Sequence, residues 1–179
     1  SCANYGCRTT AYSAHSVAWT PVLSVAQSSV GQGVVVSIGV WDQRDEEIIG
    51  RRSYGAPIRS EQNLAVVVQD AFVDGFRRKG FDFVQYSDEA PLVLVIELKK
   101  LKYAPSMGFL TGGVNVYGVL ALSAYKNGQT YSQDYTSGME QRVAVVPSPS
   151  TNQEWINTTL SDIINQALND PELTSFLAN

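Results

Sequence analysis

Residues 92–103, L-V-L-V-I-E-L-K-K-L-K-Y, decide the fold of this 179-residue chain. The even-numbered positions from Leu92 to Leu98 are all leucine or isoleucine, which places them on one face of a β-strand. Beyond Lys99-Lys100 the apolar positions become odd-numbered, starting at Leu101. A one-residue shift of this kind is what a β-bulge produces. The sequence therefore predicts a long strand with a bulge at the two lysines.

A β-hairpin is predicted after this strand. Residues 114–125 and 130–146 have strand character, and Asn127-Gly128 lies in the short connection between them. An Asn-Gly pair favours a type I′ turn, because both central residues of that turn have positive φ. The two strands are therefore expected to be antiparallel neighbours. Further strands are predicted at 34–41, 48–54 and 81–86.

The first predicted helix has apolar residues at spacings of three and four from Leu64 to Phe76. Ser60 is a suitable N-cap, because its hydroxyl can accept a hydrogen bond from a free backbone N–H of the first turn. Gly80 stands where glycine commonly follows the end of a helix. The sequence therefore predicts a helix that begins after Ser60 and ends at Lys79.

The second predicted helix follows a proline-rich and serine-rich break. Thr151 and Glu154 match the T-x-x-E capping box, and an apolar stripe runs from Ile156 to Leu168. Asp170-Pro171 then predicts a short third helical turn, with the aspartate as N-cap and the proline at the first helical position.

This order of elements predicts an α+β fold. We expect a mostly antiparallel β-sheet of four to six strands with two main helices packed on one face, because both apolar stripes need a sheet face to cover. Residues 33–179 are expected to form a single α+β domain, and residues 1–32 an extended N-terminal tether. Residues 19–25 of the tether can pair as an edge strand. The tether is held either by its own domain or by a neighbouring subunit.

Composition narrows the classes of function. The chain has 13 Lys plus Arg and 17 Asp plus Glu, giving a net charge of -4, which argues against a nucleic-acid partner. Charged residues make up 17% of the chain, so much of the polar surface consists of uncharged side chains, which suits an extracytoplasmic protein. The longest aliphatic runs are far shorter than the about 20 residues of a membrane-spanning helix.

Both cysteines, Cys2 and Cys7, lie within the first seven residues. A cysteine at the start of a Ser/Thr/Ala-rich segment is typical of a bacterial lipoprotein after removal of its signal peptide, so Cys2 is the predicted lipidation site. Ser1 departs from this pattern, because a processed lipoprotein begins with the cysteine itself. The alternatives are a local disulfide between the two cysteines, a bridge to another subunit, or two inert thiols. Zinc binding is disfavoured, since His15 is the only histidine.

The sequence contains no recognisable catalytic grouping. A hydrolase triad needs a histidine beside a nucleophile, and His15 lies alone in the tether. The acidic residues after the first strand lack the spacing of a calcium loop, so we expect a solvated turn in which Asp42 and Arg44 pair. The glycines of residues 108–113 do not match a phosphate-binding loop. We therefore expect no enzymatic activity, no cofactor and no metal.

The connection between the long strand and the hairpin has an apolar centre, whereas loops of this kind are usually polar. Met107, Phe109 and Leu110 lie in it, and together with Trp19 of the tether they are the predicted partner-binding residues. An exposed apolar tip marks contact with a protein, a lipid or an apolar ligand. The alternative is that the tip folds back over the end of the sheet.

Five segments in collinear order resemble the YajG-type lipoproteins of Gram-negative bacteria. They are V-S-I-G-V-W-D-Q-R at 36–44, L-A-V-V-V-Q-D-A-F-V-D-G-F-R-R-K-G-F at 64–81, V-L-V-I-E-L-K-K-L-K-Y at 93–103, Y-K-N-G-Q at 125–129, and L-N-D-P-E-L-T-S-F-L at 168–177. The similarity covers about residues 33 to 179, and the order of the segments is more specific than any one of them. The resemblance implies a lipid anchor, a periplasmic location and an uncharacterised role without a known active site.

Two functions from different classes follow. The first is a non-enzymatic lipoprotein, anchored on the periplasmic face of the outer membrane, that serves as a structural or accessory subunit of a cell-envelope assembly, such as a secretion-system or flagellar-motor complex. Its partners are then other envelope proteins and the membrane itself. The second is a periplasmic lipoprotein that binds a small apolar ligand or a lipid. An unrecognised hydrolase comes third.

Overall fold

A computed structural model describes residues 13–52, 55–107 and 112–179, with the backbone alone described at Met107. The predicted lipidation site Cys2 and the predicted partner-binding residues Phe109 and Leu110 lie outside these ranges. The structure is α+β, as predicted, and its described part contains eight strands and three helices.

The strands and helices are numbered in chain order. The strands are β1 (His15–Val17), β2 (Val35–Asp42), β3 (Gly50–Arg51), β4 (Pro57–Ser60), β5 (Asp82–Gln85), β6 (Leu92–Met107), β7 (Gly112–Lys126) and β8 (Gln129–Val143). The helices are α1 (Leu64–Arg77), α2 (Pro149–Leu168) and α3 (Pro171–Ala178). None of the described helices is long and apolar enough to cross a membrane.

Strand β6 lies in the interior of the sheet and pairs with other strands along both of its edges. One edge pairs with β7 along its whole length, and β7 pairs in turn with β8. The other edge is shared: β2 pairs with residues 93–98, and β3 pairs at Tyr103. The register with β7 shifts between Leu98 and Lys100, so the predicted bulge is confirmed. Because a bulge bends a strand, it separates the β2–β5 wing of the sheet from the β3–β4–β1 wing.

The sheet is mixed, so the expectation of a mostly antiparallel sheet of four to six strands is wrong. Among the described strands, β2 is parallel to both β5 and β6, β3 is parallel to β6, and β1 is parallel to β4. Alternation of apolar residues identifies a strand but not its direction. The direction follows from the connection through α1, which returns the chain so that β5 runs parallel to β2.

The predicted turn and the third helix are confirmed. Asn127 and Gly128 have φ of 51° and 74°, as a type I′ turn requires, and they join β7 to β8. Asp170 is the N-cap of α3, and its side chain accepts hydrogen bonds from the backbone N–H groups of Glu172 and Leu173. The cap therefore meets two N–H groups that the first turn of the helix leaves free.

The caps predicted for the two longer helices are wrong. Asn63, not Ser60, caps α1, because β4 extends through residue 60 and delays the start of the helix. Ser148, not Thr151, caps α2, and its hydroxyl accepts a hydrogen bond from the Thr151 backbone N–H at 3.2 Å. The helix therefore begins inside the proline-rich break, with Pro149 at its first position.

Helices and sheet share one core. Helix α1 packs against β2 and α2 packs against β7 and β8, while α1 and α2 contact each other. Gly118 of β7 allows the helix to approach closely, since a Cβ there lies 2.6 Å from Ile163 Cδ1 and 3.1 Å from the Lys100 carbonyl. Sequence analysis did not identify this glycine as one that helix–sheet packing needs.

The N-terminal segment is arranged differently from the edge strand predicted at 19–25. The strand lies earlier, at His15–Val17, and it pairs in parallel with β4. Residues 18–25 are outside the sheet. Of the strand predicted at 48–54, the described residues 48–52 form a strand at Gly50–Arg51, and residues 53 and 54 lie outside the described ranges.

Candidate functional site

Residues 18–24 run along α2 and are held there by a ladder of side-chain hydrogen bonds. We call these residues the strap. Asn157 and Asn165 each use both amide groups: the Oδ1 atoms accept from the Thr20 and Ser24 backbone N–H, both at 2.9 Å. Their Nδ2 atoms donate to the Ala18 and Val22 carbonyls, both at 2.8 Å. The side chains that form the ladder are Gln153, Asn157, Ser161, Asn165 and Asn169.

The ladder can form because the spacing of side chains along the helix nearly equals the spacing of alternate residues along the strap. Side chains four residues apart on a helix are separated by about 6 Å along its axis. Alternate residues of an extended segment are separated by about 6.6 Å. Successive side chains of the ladder therefore meet alternate residues of the strap. The strap thus pairs with helix side chains where a strand would pair with a neighbouring strand.

Trp19 lies at the start of the strap and is buried, with 5% of its surface exposed. Its indole N–H donates to the Ser60 hydroxyl, and its backbone N–H donates to Gln62 Oε1 at 3.0 Å. Trp19 is a predicted partner-binding residue, but its side chain is part of the core of its own domain. Val22, by contrast, faces outward from the strap and is 72% exposed.

A second feature is a cleft at the end of the β6–β7 hairpin, which we call the hairpin-end cleft. Its volume is about 470 Å³. It lies between the ends of β6 and β7 and the segment that joins β8 to α2. Most of its lining is apolar, and Arg52 and Tyr103 also line it. The apolar side chains are Pro105, Val114, Val143, Val145, Val146 and Pro147.

Arg52 is buried at the wall of this cleft, with 3% of its surface exposed. Its Nη1 donates to the Ser13 carbonyl and its Nη2 to the Pro147 carbonyl, both at 3.0 Å, while its Nε–H has no hydrogen-bond partner. The ion pairs of the described residues do not include it. Residues 1–12, 53–54 and 108–111 contain neither aspartate nor glutamate, so they cannot supply a side-chain carboxylate to it.

The charge of Arg52 acts on two neighbouring side chains, His15 and Tyr103, and Asn152 lies beside Tyr103. Burial, followed by the charge of Arg52, lowers the pKa of His15, and neither of its ring nitrogens has a hydrogen-bond partner. Burial raises the pKa of Tyr103 to about 12, although Arg52 and the Asn152 amide act in the opposite direction. Asn152 is fully buried, and neither atom of its amide makes a hydrogen bond of acceptable geometry. Of these side chains, Arg52 and Tyr103 line the cleft, so its wall has a buried positive charge with one unused N–H, the Nε–H of Arg52.

A third polar cluster joins α3 to the sheet. The hydroxyls of Tyr131 and Tyr135 both donate to Asp170 Oδ2 at 2.6 Å. Burial acts to raise the pKa of Asp170, but these two hydroxyls and two backbone N–H groups outweigh it and hold the pKa below its usual value. Burial and the bond to Asp170 raise the pKa of both tyrosines. Every member of the cluster is satisfied, so its role is structural.

The turn after β2 carries the predicted ion pair. Arg44 Nη2 lies 2.8 Å from Asp42 Oδ2, and its Nε donates to Oδ1 at 2.9 Å, so this prediction is confirmed. Burial acts to raise the pKa of Asp42, but the hydrogen bonds from Arg44 outweigh it and the pKa is lowered. Among the described residues, no group of three or more His, Cys, Asp or Glu side chains is placed to hold a metal ion.

The structure does not bring the predicted site residues together. Trp19 lies beside β4 and the start of α1, whereas Met107 ends β6 at the hairpin end. Sequence reasoning missed Arg52 and the ladder. The ladder had a visible signal, Q-x3-N-x3-S-x3-N-x3-N at 153–169, a polar stripe of five residues at helical spacing. Arg52 had none, because nothing in the sequence distinguishes it from the exposed Arg51 beside it.

Comparisons with known proteins support a single family. A family model described as "Uncharacterized lipoprotein" matches residues 21–178. A solved structure of a protein from Xanthomonas campestris has a TM-score of 0.54 at 12% identity, covering 89% of this chain and 97% of that one. A minor lipoprotein from Acinetobacter baumannii has a TM-score of 0.49 at 7% identity, covering 79% and 91%. The first likeness shows a shared fold. A comparison with curated proteins finds no match.

Proposed function

The chain belongs to a family of uncharacterized bacterial lipoproteins, and from that premise we propose that it is a lipid-anchored structural or accessory subunit of a cell-envelope assembly. In this proposal the lipid is carried by Cys2, the domain lies on the periplasmic face of the outer membrane, and no reaction is catalysed. We also propose that the chain is a YajG-type lipoprotein.

The observation that carries the proposal is the strap. Ten residues lie between Cys2 and Ser13, the first described residue, and this length of chain spans at most about 40 Å when fully extended. Beyond it the chain is fixed: β1 pairs with β4 and the strap is bonded to α2. An anchored domain would therefore stay close to the membrane surface. A subunit that must meet its neighbours at a fixed height benefits from such an attachment.

The outer edge of β8 is the surface we assign to a neighbouring subunit. Strand β8 has 15 residues and pairs with β7 without a register shift, and among the described strands none pairs with its other edge. Natural edge strands are usually protected by proline, charged side chains or a bulge. Strand β8 contains no proline, lysine or bulge, and its charged residues are Asp134, Glu140 and Arg142. Of the outward backbone groups, the Thr136 carbonyl accepts a hydrogen bond from Gln166 of α2, and the Asp134 carbonyl accepts one from Gln133 Nε2. The occupant we propose is an edge strand of the neighbouring subunit.

Site-specific photo-crosslinking in native envelopes tests this assignment. A crosslinking residue at Ser132, which is exposed on β8, should capture a specific partner, whereas one at Val66, exposed on α1, should not. Asp134 pairs with Ala121 of β7 at a position where its N–H faces outward, so Asp134→Pro should abolish the crosslink and leave the hairpin paired. Asp134→Ala is the matched control and should retain it. Equal crosslinking from Ser132 and Val66, or full crosslinking with Asp134→Pro, would contradict the proposal.

A second candidate function is favoured by the hairpin-end cleft. A lipoprotein that carries a small amphiphilic ligand needs a mostly apolar cavity of several hundred Å³ with a few polar groups that orient the ligand. The cleft has such a volume, such a lining and one buried charge. The predicted partner-binding residues Met107, Phe109 and Leu110 belong to the connection between the two strands that line it, and their role in either function stays a prediction.

A further inference from the structure

We propose that the hairpin-end cleft binds a carboxylate or phosphate group carried on an apolar chain, with Arg52 as the charged contact. This inference rests on the second candidate function and names its site and ligand class. It does not depend on the proposed docking of a subunit at β8.

The first step is the charge of Arg52. A guanidinium group stays protonated in proteins, and burying it without an opposite charge is costly. Arg52 is 3% exposed, and within the described part of the chain its side chain bonds to two backbone carbonyls. None of the undescribed residues is acidic, so their side chains cannot neutralise it. A bound anion would supply the missing charge.

The second step is the unused hydrogen-bonding capacity around it. The Nε–H of Arg52, both ring nitrogens of His15 and the amide of Asn152 are buried without partners. Buried polar groups of folded proteins nearly always have partners, so each exception calls for an explanation. Of these three side chains, Arg52 is the one that lines the cleft. Its unused Nε–H is a donor, as an anion requires.

The third step is the apolar wall. Val114, Val143, Val145 and Val146 line the cleft beside Arg52, and Val145 is 77% exposed. An inorganic anion would leave the exposed part of this wall, above all Val145, in contact with water. A ligand with an apolar chain would cover them while its head group reaches Arg52. The pairing of a buried cation with an apolar wall therefore selects an amphiphile rather than a free ion.

A purely structural role for Arg52 explains less. Its two bonds to carbonyls fasten the N-terminal segment and the start of α2 to the sheet. That role requires neither an apolar cleft beside Arg52 nor an unpartnered Nε–H. The structural role and the proposed ligand role are compatible, since the two bonds use Nη1 and Nη2 and leave Nε free.

The test is titration of the purified 179-residue chain with dodecanoate, dodecyl phosphate, dodecanol and inorganic phosphate, each below its aggregation concentration. We expect one or both of the dodecyl anions to bind about tenfold or more tightly than dodecanol, because a charge-assisted hydrogen bond accounts for a factor of that size. The carboxylate and phosphate arms distinguish the two head groups. Backbone NMR shifts at Val114 and Val143 should locate the site.

Two variants and one control complete the test. Arg52→Gln should lower anion affinity about tenfold or more, and Arg51→Gln, at the exposed neighbouring position, should leave it unchanged. Gly112→Phe should block binding with Arg52 intact, since a Cβ at Gly112 meets nothing closer than 3.6 Å and a side chain there enters the cleft. It keeps the test valid if Arg52→Gln fails to fold.

The outcomes distinguish the proposed ligand class from the carrier function on which it rests. If dodecanol binds in the cleft as tightly as the anions, the ligand class is wrong and the carrier function survives. If none of the dodecyl compounds binds, both are overturned. If inorganic phosphate binds as tightly as dodecyl phosphate, the apolar wall plays no part and the proposal fails.

Discussion

The ladder along α2 makes a prediction in which two effects have opposite signs. Asn165→Ala removes the acceptor of the Ser24 N–H and the donor to the Val22 carbonyl. Each hydrogen bond contributes about 0.5–1.5 kcal/mol net, so the strap should lose about 1–3 kcal/mol of its attachment to α2. Alanine is also the better helix former, by several tenths of a kcal/mol, so α2 itself should not be weakened.

Native-state hydrogen exchange measures this loss directly. The Ser24 amide should exchange about five to 150 times faster in Asn165→Ala, because 1.4 kcal/mol corresponds to a factor of ten. The amides in the middle of α2 should keep their protection. Gln166→Ala is the matched control, since Gln166 donates to Thr136 on β8 and not to the strap. Unchanged exchange at Ser24, or equal acceleration throughout α2, would refute the ladder as the attachment of the strap.

Two further predictions concern packing and pH. Gly118→Ala should destabilise the fold by about 1–3 kcal/mol in denaturant unfolding, because the new methyl group lies 2.6 Å from Ile163 Cδ1. Gly138→Ala is the control and should have little effect, because a Cβ there meets nothing closer than 3.5 Å. Equal effects of the two substitutions would contradict the close approach. The pKa of Asp170 is lowered by folding, so its contribution to stability is present above the pKa of the unfolded chain, near 4, and is lost as pH falls through the lower folded pKa. Asp170→Asn should flatten the acid limb of the stability curve, and an unaltered acid limb would show that the tyrosine hydroxyls do not stabilise this carboxylate.

Local features of the fold were predictable where a few neighbouring residues determine them. The bulge after Leu98, the Asn127-Gly128 turn and the Asp170 cap each depend on residues that lie close together in the sequence. The parallel pairing of β2 with β6 depends on residues more than fifty positions apart, so alternation of apolar residues did not reveal it. The cap of α1 moved to Asn63 because β4 extends through residue 60. Tertiary pairing thus overrode a plausible local signal.

The candidate site was harder to predict than the fold. The polar stripe of α2 is visible in the sequence, but its partner is an extended segment some 140 positions earlier that has no regular pattern. Trp19 was predicted to bind a partner because it lies in the predicted tether, yet it is buried in the core and bonded to Ser60 and Gln62. Burial of Arg52 is a property of the assembled fold. The sequence alone offers no signal for it.

The intact mass of the protein extracted from native membranes tests whether Cys2 carries a lipid anchor. A lipid-anchored subunit should have a mass increased by a diacylglyceryl group on Cys2, and Cys2→Ser should release the protein into the soluble periplasmic fraction. Cys7→Ser is the matched control and should stay with the membrane. An unmodified mass at Cys2, or Cys2→Ser that remains with the membrane fraction, would contradict the account.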